Sequence, residues 1–270
     1  MLVATNAEKL AAVEAVLKAI NPEVQLLSVA TNIGDEASVA NLFATVKAKF
    51  GHADVLVHNA GVATGNGPIL EQEVDDWWYN FVRAPTPPPP PSLTHSPIPI
   101  KDGLIIERIT NTASPPPQEI NTKGTFILTK AFVSSLPTPT TPATLVNLTT
   151  AAAWLVIPFM AGYGISKVAS QQLFANVAAA YPSITTVSLH PGLVDTDMTD
   201  PAFVRFNKDT PELVGGVAVW LASEKARFLS GRAIAAQWSV DDLVEREKEI
   251  VEGGLLRMEM KGRFGVEQFQ

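Results

Sequence analysis

The chain contains no cysteine, which excludes disulfides, thiolate catalysis and Cys-ligated zinc. Histidine is scarce, and His52, His58, His95 and His190 follow none of the usual metal-ligand spacings, so no metal is expected. Runs of positive charge are missing too. With 20 Lys and Arg against 27 Asp and Glu, the net charge is -7 and no basic cluster offers a surface to nucleic acid or to an anionic membrane. The expected partner is therefore a small molecule. The longest apolar stretch, residues 151–161, is too short to span a bilayer and contains Pro158. No basic-then-apolar leader opens the sequence, so the expectation is a soluble, cytoplasmic protein. The sequon at Asn147 lies in an apolar strand and is set aside on that ground. What is present is 270 residues, 46% of them apolar, enough for a substantial core.

Short β-branched runs alternate with amphipathic segments, the pattern of a parallel sheet covered by helices. Strands are predicted over 2–5, 24–30, 53–58, 143–148, 185–190 and 232–237. Helices are predicted over 7–20, capped by Asn6, and 36–50, capped by Asp35, then over 120–136, 162–180, 211–223 and 240–251. The fold class is thus α/β, a Rossmann-like doubly wound parallel sheet in a single domain. Residues 82–118 break the pattern. They hold 11 of the 21 prolines, five of them consecutive from Pro87 to Pro91, and proline cannot donate ladder hydrogen bonds. Two readings of this segment stand: a genuine looped insertion, or a translated intron, since Val82-Arg83, Thr110-Asn111 and Gln118 can be encoded by splice-signal sequences. Sequencing the spliced message decides between them. The expected division is 1–81 and 119–252 as one Rossmann-like domain, 82–118 as the insertion and 253–270 as a tail.

Tyr163 and Lys167 stand four residues apart and so share one helix face, where a cation is expected to favour phenolate and lower the tyrosine pKa. A phenol tuned in this way is a general acid/base for a carbonyl or an alcohol. Thr150 ends a strand thirteen positions earlier, Asn59-Ala60-Gly61 ends another, and Pro191-Gly192 with Thr196 ends a third. All fall at carboxyl ends of strands, the edge where open α/β sheets bind ligands. This ordered set resembles the short-chain dehydrogenase/reductase family over residues 1–81 and 119 to about 250.

The resemblance implies a hydride-transferring oxidoreductase that uses NAD or NADP on a secondary alcohol or ketone. Tyr163 would be the acid/base, Lys167 would lower its pKa and hold the nicotinamide ribose, and Thr150 would replace the family serine on the substrate oxygen. Asn121 matches the asparagine that supports a proton-relay water. Asn59, Ala60 and Gly61, with His58 in place of the commoner asparagine, match the loop beside the adenosine half of the cofactor. Asn32 and Ile33 stand where the family contacts adenine, and Pro191, Gly192 and Thr196 where it meets the nicotinamide carboxamide. Met198, Phe203 and Val204 fall in the loop that shapes the substrate pocket. By the same resemblance, the helices over 120–136 and 162–180 would pair across a homodimer or homotetramer axis.

One departure is large. Residues 2–5 align with the family's second strand, so its first strand and Gly-rich phosphate turn have no counterpart here. The spacing of Gly61, Gly65 and Gly67 mimics that turn but belongs to the active-site loop. Two readings follow: an NAD(P)-dependent oxidoreductase, or a catalytically inactive relative that keeps the scaffold as a binding or oligomerisation module. The strands over 2–5 and 53–58 would lose the neighbour between them, and an open gap is expected in preference to direct pairing.

Overall fold

A computed structural model describes residues 1–63, 67–78, 120–196, 199, 206, 209–259 and 265. The Pro-rich segment 82–118, most of the tail, and Met198, Phe203 and Val204 lie outside the described residues.

The chain runs β1 (Leu2–Ala4), α1 (Ala7–Ile20), β2 (Ser28–Ala30), α2 (Glu36–Phe50), β3 (Val55–His58) and the short α3 (Val74–Trp78). It resumes as α4 (Thr125–Ser135), β4 (Ala143–Leu148), α5 (Ala161–Ala180), β5 (Ile184–His190), α6 (Pro211–Leu221), β6 (Arg232–Ala235), α7 (Val240–Glu245) and α8 (Glu247–Glu252). Every ladder is parallel. This is the α/β, Rossmann-like class expected from the alternation of patterns.

Local chemistry accounts for the boundaries. The Asn6 side chain accepts from the Lys9 N–H and that of Asp35 from the N–H groups of Ala37 and Ser38, so both expected caps are in place. Strand β2 covers only the end of its predicted span. Two expected helices are interrupted. The segment over 120–136 opens with a π-turn, Ile120–Gly124, before α4 begins, because the Thr125 hydroxyl donates to the Asn121 carbonyl. The segment over 240–251 is two single-turn helices, with Arg246 in a non-helical conformation between them.

The core has two parts. One packs Leu42 and Phe43 of α2, Leu128 and Phe132 of α4 and Phe174 of α5 against Leu145 and Ile184. The other packs Val217 and Leu221 of α6, with Leu229, Leu243 and Ile250, against Val146, Val187, Leu189 and Ile234. Strands β4 and β5 separate the two and are buried on both faces, although Thr144, Asn147, Thr185, Thr186 and Ser188 interrupt their apolar residues.

The sheet is split. Among the described residues, strands β3, β4, β5 and β6 form one ladder in that order, and β1 pairs with β2 alone. Between the two units runs a cleft of about 960 Å³, lined by Val3 and Ala4 on one side and by Val55, Leu56 and Val57 on the other. The expected open gap is what the structure holds.

Candidate active site

The carboxyl ends of β3, β4 and β5 each deliver a turn to one side of the molecule. Strand β4 ends at Leu148, and Thr150 then caps a 3-10 turn by accepting from the Ala152 N–H at 3.3 Å. Its own hydroxyl proton remains for a ligand. The turn lies hard against α5: a Cβ on Gly164 would stand 2.9 Å from the Ala152 carbonyl oxygen. Glycine in the Tyr163-Gly164 pair is therefore what brings the Thr150 turn close to the helix that carries the phenol, a role that the spacing of Tyr163 and Lys167 alone did not reveal.

Tyr163, Thr150, Asn59, Pro191, Gly192 and Thr196 line one cavity of about 440 Å³. Apolar Leu148, Met160, Leu193 and Val194 complete much of its wall, and His190 lies in it, its ring meeting that of Trp154 edge-on at 5.7 Å. Asn59 also lines the larger cleft, together with Ala60, Gly61 and Ile33. Asn59 thus belongs to both spaces. Ile33 is buried in the first core, and the Asn32 side-chain oxygen accepts from the Gly34 N–H at 2.9 Å.

Lys167 and Asn121 sit behind the cavity in a buried polar cluster. The Lys167 ammonium donates to the Leu148 carbonyl at 2.9 Å and stands 5.8 Å from the centre of the Tyr163 ring. A Cβ on Gly61 would come within 3.1 Å of it and crowd the ammonium. The Asn121 amide accepts from the Val62 N–H at 2.8 Å and donates to the Val62 carbonyl at 2.7 Å and to Ser166 Oγ at 3.1 Å. Ser166 in turn donates to the Tyr163 carbonyl at 2.7 Å. The side chain of Asn121 therefore ties the loop after β3 to helix α5. Thr125 and His58 extend the cluster, His58 Nε2 lying 2.8 Å from Thr125 Oγ1. Because the Thr125 proton goes to the Asn121 carbonyl, Nε2 carries the proton of the imidazole.

Burial dominates the electrostatics here. It pushes Lys167 down to about 8 and, with a smaller contribution from the Lys167 charge, His58 down to about 3. It pushes Tyr163 up to about 12. The expected lowering of the phenol by its neighbour is thus reversed: the ammonium lies over the ring face and spends a hydrogen bond on Leu148, while desolvation of the phenolate decides the direction. Among the described residues no group of three or more metal-ligating side chains comes together.

Residues 1–84 match the family described as short chain dehydrogenase, and residues 117–237 match the one described as enoyl-(acyl carrier protein) reductase. The short chain dehydrogenase andI of Emericella variicolor is 30% identical over 249 residues, covering 89% of this chain and 71% of that relative. This chain belongs to the short-chain dehydrogenase family. A second relative, the short chain dehydrogenase mpl6 of Monascus purpureus, is 29% identical over 260 residues, covering 94% of the chain and 76% of its own length. Among solved structures, levodione reductase superposes with a TM-score of 0.68 at 18% identity, over 87% of this chain and 84% of that one. A gluconate 5-dehydrogenase from Burkholderia cenocepacia, in complex with NADP and tartrate, gives 0.65 at 19% identity, over 87% and 82%. At that identity the likeness is one of fold.

A nicotinamide cofactor can be tested against these residues. Lys167 is 4% exposed and its ammonium has one hydrogen-bond acceptor among the described residues, which leaves two N–H donors beside Gly61. That suits the hydroxyl pair of a ribose.

Proposed function

We propose that this chain is an NAD(P)-dependent oxidoreductase that interconverts a secondary alcohol and a ketone, with Tyr163 as its acid/base. The observation that supports it most is the convergence of Tyr163, Thr150 and the turn at residues 191–193 on one largely apolar cavity, backed by a buried ammonium with donors to spare. A bound nicotinamide would supply or accept the hydride. In the reducing direction the Tyr163 hydroxyl gives its proton to the substrate oxygen while Thr150 donates a hydrogen bond to that oxygen, stabilising the charge as it develops. Lys167 holds the ribose. Asn121 keeps the loop after β3 and helix α5 in register, Asn59, Ala60 and Gly61 flank the adenosine half with Asn32 and Ile33, and Pro191, Gly192 and Thr196 meet the carboxamide. The chain works in the cytoplasm as a homodimer or homotetramer.

Titration with NADH and NADPH, followed by a survey of cyclic and acyclic ketones, tests the reading. Tyr163→Phe should abolish turnover with cofactor affinity nearly intact, because only the titrating oxygen is removed, and Lys167→Ala should lower both. A Phe variant that kept more than about a tenth of the rate, a barrier change below about 1.4 kcal/mol, contradicts the assignment. Absent or millimolar binding of both cofactors would favour a scaffold that has lost its chemistry.

A further inference from the structure

Asp209 and Gln237 have no part in the reading above, yet they grip the turn on which it depends. The Leu193 N–H donates to Asp209 Oδ2 at 2.8 Å, and Gln237 Nε2 donates to the same oxygen at 2.8 Å. The main chains are tied as well. The Asp209 N–H donates to the Leu193 carbonyl at 3.3 Å, Val194 and Asp209 form a parallel bridge, and the Ala236 N–H donates to the His190 carbonyl at 2.9 Å. Asp209 directly precedes Thr210, the cap of α6, so one carboxylate joins the exit of β5, the entrance of α6 and the second residue after β6.

The grip is tight enough to dictate the residue inside it. Gly192 has φ +83°, and a Cβ built there would stand 1.8 Å from Gln237 Nε2 and 2.2 Å from Asp209 Oδ2. Both the left-handed backbone and the lack of space require glycine. One carboxylate oxygen that accepts two N–H donors fixes the main chain at Leu193 and the side chain of Gln237 relative to each other. We propose that Asp209 and Gln237 are positioning residues that set the backbone of residues 191–193 and thereby the end of the cavity where the nicotinamide ring is held. The proposal rests on the reading of that turn given under Proposed function.

Four proteins test it: the unaltered chain, Asp209→Ala, Asp209→Asn and Gln237→Leu. The readouts are NADPH affinity by fluorescence and hydrogen exchange at the Leu193 amide. Asp209→Ala removes the acceptor, so exchange should quicken by about tenfold or more and NADPH affinity fall by a similar factor, the loss of a charge-assisted hydrogen bond. Asp209→Asn keeps an oxygen that can accept from the Leu193 N–H but not the charge, so both readouts should fall between those of the unaltered chain and Asp209→Ala. Gln237→Leu removes one of the two donors from that oxygen and should move both readouts in the same direction by less. A residue needed only for folding would not order both readouts by the partners it keeps. Asp209→Ala with unchanged Leu193 exchange or unchanged affinity, or Gln237→Leu with both readouts unchanged, overturns the proposal. If the unaltered chain binds no NADPH, the functional reading fails by itself. The order of Leu193 exchange across the four proteins then still decides the grip: graded exchange supports it and uniform exchange refutes it.

Discussion

Lys167 and His58 show at the level of single residues how function and stability oppose each other in this chain. Both are buried beyond nine-tenths and both bind protons less readily folded than unfolded. For His58 the sign follows directly. As pH falls from about 6.5 toward about 3, the unfolded chain takes up a proton that the native state refuses, so stability is lost across that window by at most ~1.4 kcal/mol per pH unit. His58→Asn, whose amide can still donate to Thr125, should flatten this acid limb in urea titrations at stepped pH, and an unchanged slope would show that His58 does not carry it. For Lys167 the cost is present in full at neutral pH and is relieved only as pH rises from about 8 toward 10.5. Lys167→Met should therefore raise the urea midpoint, corresponding to a gain in unfolding free energy on the order of 1 kcal/mol after the loss of the bond to Leu148, while removing activity. A midpoint that drops would mean that the ammonium is a net stabilising group.

Much of this was legible beforehand and some was not, for a definite reason. Thr150, Asn59, Pro191, Gly192 and Thr196 follow the ends of strands, readable from β-branched runs that stop at turn residues, and Tyr163 shares a helix face with Lys167 four positions on. That they meet in one cavity follows from the parallel topology. The direction of the Tyr163 shift was not legible, because it depends on how much water the ring loses, and burial is a property of the packed whole. Asp209, Gln237, Gly164, Ser166 and Thr125 were missed because their roles come from contacts across 16 to 67 positions, or from space that another segment fills.

At the level of elements, the two interrupted helices show what periodicity cannot see. The apolar spacing over 120–136 is continuous, but a hydroxyl at Thr125 that bonds back to Asn121 widens the first turn and turns the Asn121 side chain toward Val62 and Ser166. Thr125→Val keeps shape and removes that bond. It should cost about 1–2 kcal/mol, because two buried polar partners lose their contact, and a thermal midpoint equal to that of the unaltered chain would refute it. The helix pair expected to mediate self-association is also partly spent on the core: Ile127, Leu128, Phe132, Phe174 and Val177 are buried within this chain. What is left outward includes Phe126, 53% exposed on α4, and Ile165, 48% exposed on α5. Phe126→Lys should shift light scattering toward monomer if the outward residues of these helices meet those of a second copy. A folded monomer at high concentration before any substitution removes the expectation.

For the molecule as a whole the split sheet matters most. Valines inside strands of a doubly wound sheet are ordinarily covered on both faces, yet Val3 is 36%, Val55 42% and Val57 46% exposed, and all three lie along the cleft between β1 and β3. Helix α1 shares the problem: only Leu10 is buried, while Val13, Val16 and Ile20 lie open. Strands β4 and β5, by contrast, are buried almost throughout. Local opening free energy follows buried apolar contact, so the unit from β1 through β2 should open well before the ladder from β3 to β6. Hydrogen exchange should find the amides of β1 and β2 exchanging at least about tenfold faster than those of β4 and β5, a difference of about 1.4 kcal/mol in opening. Facing edges with unpaired N–H and C=O groups also invite pairing between molecules. Val57→Lys places a charge at that edge without touching the cavity around Tyr163, and it should slow aggregation on warming as followed by light scattering. Uniform protection across both units, together with a single sharp thermal transition, would mean that the two halves cohere more strongly than their exposed valines allow.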